Sequence, residues 1–293
     1  MAKNTSTTPA DNTATCAFCN RRFPLDRTQC PHCARPQLFP NVRLAEKVGE
    51  RQKLRDRYQK AQDDCRKRGC EKSLGEFEKA CRTSVAVFNC PTQKLFREIA
   101  NGTDLFEPYH DLERLRLRSE RPAGHDWQKL RPQAEVELLG SHQHLDKLHY
   151  AALSLDGAGL DSYGGCTVVL RDEMISHRAS CFEGNSALIY EKMRDFTGIL
   201  RSTWDERQTL CAAKVAEKLD KSVPVGNFPG MLLTAGISQD DDDFVEVHVF
   251  GTITAETFQS VSVDAASHLR QEKILWKAVK EKLNKRGVVT IDS

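Results

Sequence analysis

The most regular alternation of apolar and polar positions runs over Phe244-Val-Glu-Val-His-Val-Phe250. On an extended backbone Val245, Val247 and Val249 face one way and Glu246, His248 and Phe250 the other, which predicts a strand. Cys166–Leu170, Met231–Thr234 and Val261–Val263 are short apolar runs that also predict strands. The first half of the chain has a helical period instead. Leu44, Val48, Leu54, Tyr58 and Ala61 recur among charges between Val42 and Arg68, and Gly69 is positioned to end that helix. Leu74, Phe77 and Cys81 mark a second helix, and Gln93 to Ala100 a third. Asp104 and Glu107 have capping-box spacing for a fourth, burying Leu105, Tyr109, Leu112 and Leu115. Thr203 and Glu206 have the same spacing for a helix reaching Leu219, and a last helix is predicted from about Ala265 to Lys285.

This change of period divides the chain. Residues 1–13 are rich in Thr, Asn and Ala and predict a disordered tail. Residues 14–36 are cysteine-rich, 42–147 helical, and 148–293 mixed. The fold class is α+β, with a small N-terminal metal-binding ribbon, a helical middle and a mixed α+β C-terminal effector domain.

Composition sharpens the N-terminus most. The chain of 293 residues has 11 cysteines, and its first residues lack the apolar centre of an export signal. Reduced thiols in a cytoplasmic protein, some of them ligating metal, are expected rather than a disulfide scaffold. Four cysteines form two pairs, Cys16-x-x-Cys19 and Cys30-x-x-Cys33. Each pair on a tight turn supplies two neighbouring corners of a tetrahedron, so the four predict a closed structural zinc site. These residues resemble the zinc-ribbon family. Cys65, Cys70, Cys81, Cys90, Cys166, Cys181 and Cys211 lack such spacing and are expected to be thiols.

Formal net charge is only +2, which excludes a histone-like polycation, and no apolar run is long enough to span a membrane. The charge is unevenly placed. Residues 43–82 carry 13 Lys+Arg against 8 Asp+Glu, and residues 269–286 carry seven against two. With Arg21, Arg22, Arg27 and Arg35 on the ribbon, these basic helices suit a nucleic-acid or protein partner. A solvated helical hairpin would carry the same charges. Asp240–Asp243 predicts a solvated acidic loop, with a divalent cation as the alternative.

There is no P-loop, no G-x-G-x-x-G, no H-E-x-x-H and no G-x-S-x-G. Candidate chemistry lies in His149-Tyr150, in Ser162-Tyr163-Gly164-Gly165 leading into the strand at Cys166, in Arg178, and in Glu246. Alternation alone also allows Glu246 and His248 to lie on a solvated strand face. Together these segments resemble the ADP-ribosyltransferase superfamily over roughly residues 148–264. The resemblance implies NAD as cofactor, Ser162 and Tyr163 cradling nicotinamide, and His149 or Arg178 holding ribose or phosphate. It implies Glu246 as the catalytic carboxylate beside the positive charge that develops as nicotinamide leaves. The sequence departs from that pattern where Phe244 stands two residues before Glu246 and where no Ser-Thr-Ser strand occurs. A non-enzymatic zinc-ribbon adaptor is the competing expectation.

Overall fold

A computed structural model describes residues 13–16, 19, 21–24, 27, 29–35, 38–102, 104–108, 127–139, 147–263 and 270–292. It is a mixed α and β structure with a cysteine cluster at its N-terminus. The strands are β1 (Thr13–Thr15), β2 (Arg22–Pro24), β3 (Val85–Cys90), β4 (Leu105–Phe106), β5 (Leu148–Ser154) and β6 (Cys166–Leu170). They continue with β7 (Ala179–Phe182), β8 (Arg201–Thr203), β9 (Glu246–Phe250), β10 (Ile253–Thr254), β11 (Phe258–Val263) and β12 (Val289–Asp292). The helices are α1 (Pro40–Ala45), α2 (Val48–Arg68), α3 (Glu71–Arg82), α4 (Thr92–Leu95) and α5 (Trp127–Leu139). After them come α6 (Asp172–Ile175), α7 (Ser186–Met193), α8 (Arg207–Val215), α9 (Phe228–Leu232) and α10 (Arg270–Asn284).

One eight-stranded sheet organises the chain, in the order β12-β11-β6-β3-β5-β9-β7-β8. Only β11 and β12 pair in parallel; the other neighbours are antiparallel. β6 and β9 are buried along their whole length because helices cover both sheet faces. Val245, Val247 and Val249 join the largest apolar cluster, with Leu54 of α2, Phe77 of α3 and Leu210 of α8. Phe250, of opposite parity, packs with Leu138 and Leu139 of α5 and with Phe182.

Several helical expectations agree with the structure. Gly69 closes α2 in the left-handed conformation at φ +68°, its N–H reaching the Arg66 carbonyl. Leu74, Phe77 and Cys81 are the buried stripe of α3. The helix expected from Gln93 is α4, continued by a wider π turn over Phe96–Ala100.

Others do not. Residues 42–147 are not all helix, because β3 lies within them and pairs with both β5 and β6. Val85–Cys90 is a fully sheet-embedded strand, so the two expected domains share one sheet. Leu105 and Phe106 do not begin a capped helix. They pair with β10, and Asp104 before them has φ 72°. Tyr109, Leu112 and Leu115 lie outside the described residues, as do residues 1–12 and the expected helix start at Ala265. Met231 and Leu232 belong to α9, where Pro229 sits in the first turn and presets a helical φ. Thr203 gives no side-chain cap, and the chain enters α8 through a 3-10 turn over Trp204–Glu206.

Candidate functional site

The two ribbon pairs come together. Strands β1 and β2 form a short hairpin with Ala14 opposite Phe23, and the Cys16 N–H reaches the Arg21 carbonyl. A second turn is closed by the Cys30 N–H on the Arg35 carbonyl and the Ala34 N–H on the Cys30 carbonyl. The sulfurs of Cys16, Cys19, Cys30 and Cys33 all lie within 4.8 Å of one another. Cys16 and Cys33 are 3.6 Å apart, and Cys19 and Cys30 are 3.7 Å apart. Four thiolates about 2.3 Å from a tetrahedral zinc have edges of about 3.8 Å, so the set fits such an ion. Phe23 is buried against these sulfurs as the small apolar support of the turns. Arg43 of α1 ties the ribbon to the sheet domain, its guanidinium over the Phe23 ring and one N–H on the Arg27 carbonyl.

The second cluster surrounds Glu246. Its side chain is only 2% exposed, so it does not lie on a solvated strand face. Antiparallel register puts Ala152 opposite Glu246, and Tyr150 opposite His248, all on one sheet face. Helix α7 begins against that face. The Ser186 N–H donates to Glu246 Oε2 at 2.5 Å, and the Ser186 hydroxyl donates to Oε1 at 3.1 Å. Asn185 caps the same helix, accepting from the Ala187 and Leu188 N–H groups. A carboxylate at a helix N-terminus also meets the favourable end of its dipole.

Arg131 of α5 completes the carboxylate's surroundings, with Nη1 3.3 Å from Glu246 Oε1 and 3.1 Å from the Ser186 hydroxyl. Its guanidinium lies over the Tyr150 ring, 4.2 Å from the centroid. The Tyr150 hydroxyl donates to the carboxylate of Glu135, one turn further along α5. His248 Nε2 is 3.3 Å from Glu246 Oε1, out of line for a hydrogen bond, and its ring stacks on Phe182. Burial disfavours ionisation of Glu246. The Arg131 charge, His248 and the Ser186 N–H outweigh it and hold the carboxyl below its ordinary range.

Tyr163 joins this cluster and Ser162 borders it. Tyr163 packs in the apolar cluster of Ala152 and Leu160, with the Asn185 side chain near its hydroxyl. Burial, then the Asp242 charge, raises its hydroxyl pKa, while Arg131 opposes the shift. The Ser162 hydroxyl donates to Asp242 at 3.1 Å. A cavity of about 230 Å³ adjoins them, lined in part by Asn185, Lys192, Lys214, Asp240 and Asp242. Of the acids Asp240–Asp243, Asp241 is exposed as a solvated loop would have it, but the others are not all free in water. Asp242 is buried and accepts from Ser162 and the Gly236 N–H, and Asp243 is held by Lys214 and Lys218.

His149 and Arg178 do not join Glu246. His149 is opposite Val249 in the register, on the other sheet face. Arg178 is spent on backbone, donating to the carbonyls of Met174, Phe250 and Thr252. Neither side chain is placed to hold a ribose or phosphate beside Glu246.

Arg131 and Glu135 are the residues of this cluster that sequence reasoning missed, whereas Tyr150 stood among its candidates. A signal existed in α5. Leu130, Ala134 and Leu138 form an apolar stripe at helical spacing, and Arg131 and Glu135 follow it one residue behind, four apart. Charges so close to an apolar stripe are candidates for burial as a pair. No protein-family model and no curated protein matches the chain.

Proposed function

We propose that the protein is a zinc-ribbon protein whose sheet domain is an NAD-dependent ADP-ribosyltransferase-like enzyme acting on a macromolecular target. The observation that carries this reading is the buried Glu246 carboxylate at the start of the helix that Asn185 caps, with half-buried Tyr163 near enough to feel its charge. Glu246 is the catalytic carboxylate in this reading, opposite the anomeric carbon from which nicotinamide leaves, and Ser162 and Tyr163 border the nicotinamide. The zinc is structural, because four thiolates leave no open coordination position. Eleven reduced thiols suit the cytoplasm. Among the described residues no helix is long and apolar enough to cross a membrane.

Arg131 stands against Glu246, so the test compares the full-length protein with its Arg131→Ala variant. Each is incubated with NAD and the released nicotinamide is measured. Release that disappears with Glu246→Gln is expected. No release from either protein overturns the transferase reading.

The competing function is an adaptor that binds nucleic acid. Arg21, Arg22, Arg27 and Arg35 are all exposed on the ribbon, which favours it. Helix α2 adds less than its composition suggests, because Arg51, Lys53, Arg57, Arg66 and Arg68 pair with acids of this chain. Binding of this kind weakens steeply with salt. No binding of single- or double-stranded nucleic acid at low salt overturns the adaptor.

A further inference from the structure

Helix α5 places two charged side chains inside the protein. Arg131 is 9% exposed and Glu135 fully buried, and both engage Tyr150, one over its face and one at its hydroxyl. A buried ion pair contributes little more than an apolar replacement of equal volume, and its best-attested use is to specify a state or a switch. The other hydrogen-bond donors to Glu246, the Ser186 N–H and hydroxyl, come from α7, which packs on the sheet. Only the cation comes from α5.

The shape of that cation is informative. A guanidinium is flat, delocalised and weakly hydrated, and it lies here with its plane's carbon over an aromatic ring and its N–H against a carboxylate. The nicotinamide ring of NAD is also flat, aromatic and positively charged. The surroundings that hold Arg131, the aromatic face of Tyr150, the Glu246 carboxylate and the Ser186 hydroxyl, are those such a ring requires.

We propose that Arg131 is a built-in stand-in for a flat aromatic cation: α5 carries its guanidinium into a cation site made by Tyr150 and Glu246, and an incoming cation displaces the helix. The identification of that cation as the nicotinamide end of NAD rests on the transferase reading; the cation site itself does not. Helix α5 is then an autoinhibitory element. Its apolar anchors are Leu130, against Ala187 and Leu188 of α7, and Leu138 and Leu139, in the cluster with Phe250.

The probe is 1-methylnicotinamide, a flat cation, with uncharged nicotinamide as the control of equal shape. In full-length Arg131→Ala the site is open and Glu246 has lost its counter-charge. The cation is expected to raise the Tm of this variant by about 3 °C at roughly ten times its Kd, and the neutral control is not. No shift, or an equal shift with both compounds, overturns the proposal. Should that variant not fold, hydrogen exchange of the unaltered protein decides. Saturating 1-methylnicotinamide is expected to speed exchange over Trp127–Leu139 and leave Glu246–Phe250 protected; unchanged exchange over α5 overturns the proposal. If the cation binds while neither protein releases nicotinamide from NAD, the cation site stands and the transferase reading falls. If nicotinamide is released but α5 and the Tm do not respond to the cation, the transferase reading stands and the stand-in falls.

Discussion

Arg131 of helix α5 and Glu246 of strand β9 meet 3.3 Å apart inside the protein, 115 residues apart in the chain. Each is the other's counter-charge in a place where neither could be ionised alone without a large penalty. Removing one partner strands the other. Glu246→Gln and Arg131→Met are each expected to cost about 3–5 kcal/mol in urea unfolding. The double variant Arg131→Met, Glu246→Leu is expected to recover most of that loss, and a double-mutant cycle measures the coupling. Additive losses would show that the two groups do not depend on each other.

The same carboxyl makes a prediction about acid. Its pKa is lowered on folding from an ordinary value of 4.5. A lowered carboxyl stabilises the fold above its unfolded pKa, and that contribution is lost as pH falls through the folded one. The coupling measured by the cycle should therefore be full at neutral pH and shrink below about pH 4.5.

His149 acts at milder acidity. Burial, with Lys94 and Arg178 nearby, lowers its pKa from 6.5 to about 3. The folded state thus refuses a proton that the unfolded state accepts. Above pH 6.5 this has no effect; below it, stability falls with each unit until the folded pKa is reached. Between pH 7 and pH 5 the loss is about 2 kcal/mol. Urea midpoints across that range should show it, and His149→Gln should flatten the slope.

Arg178 is expected to matter for folding. Its guanidinium bonds three backbone carbonyls around the end of β9. A lysine reaches with one point charge and cannot replace the fork. Arg178→Lys should therefore lower stability by about 2 kcal/mol, as for loss of buried hydrogen bonds to a charged group. An unchanged Tm would contradict that role.

Zinc should be inseparable from the ribbon's fold. Among the described residues its apolar support is little more than Phe23, so the energy has to come from the metal, about 10–16 kcal/mol for structural sites of this kind. Full-length protein should carry one zinc per chain. Cys30→Ser should lower the content below one and expose residues 13–35 to protease, with the sheet domain's thermal transition kept.

The cysteine site was legible because its constraint is local. Two C-x-x-C turns preset their own geometry, so spacing alone points to four sulfurs meeting. The strands at Cys166–Leu170 and Phe244–Phe250 and the buried stripe of α3 were legible for a similar reason: a repeat of two or of about 3.6 residues is written along the segment itself. Capping-box spacing misled at Asp104, where strand pairing of Leu105–Phe106 overrode a local possibility. At Thr203 the helical run to Lys218 did follow, entered by a 3-10 turn with no side-chain cap.

What no segment contains is its neighbours. Alternation gave Glu246 and His248 a face but could not say whether water or α5 covers it. Val85–Cys90 became a central strand only because β5 and β6 offered their edges. His149 and Tyr150 are adjacent in sequence, yet the pleat sends them to opposite faces, one away from Glu246 and one under Arg131. The sequence by itself determined four cysteines spaced to meet and a mixed α and β chain. The tertiary structure alone decided which charges are buried together, because burial and pairing depend on what the rest of the chain places within a few ångströms.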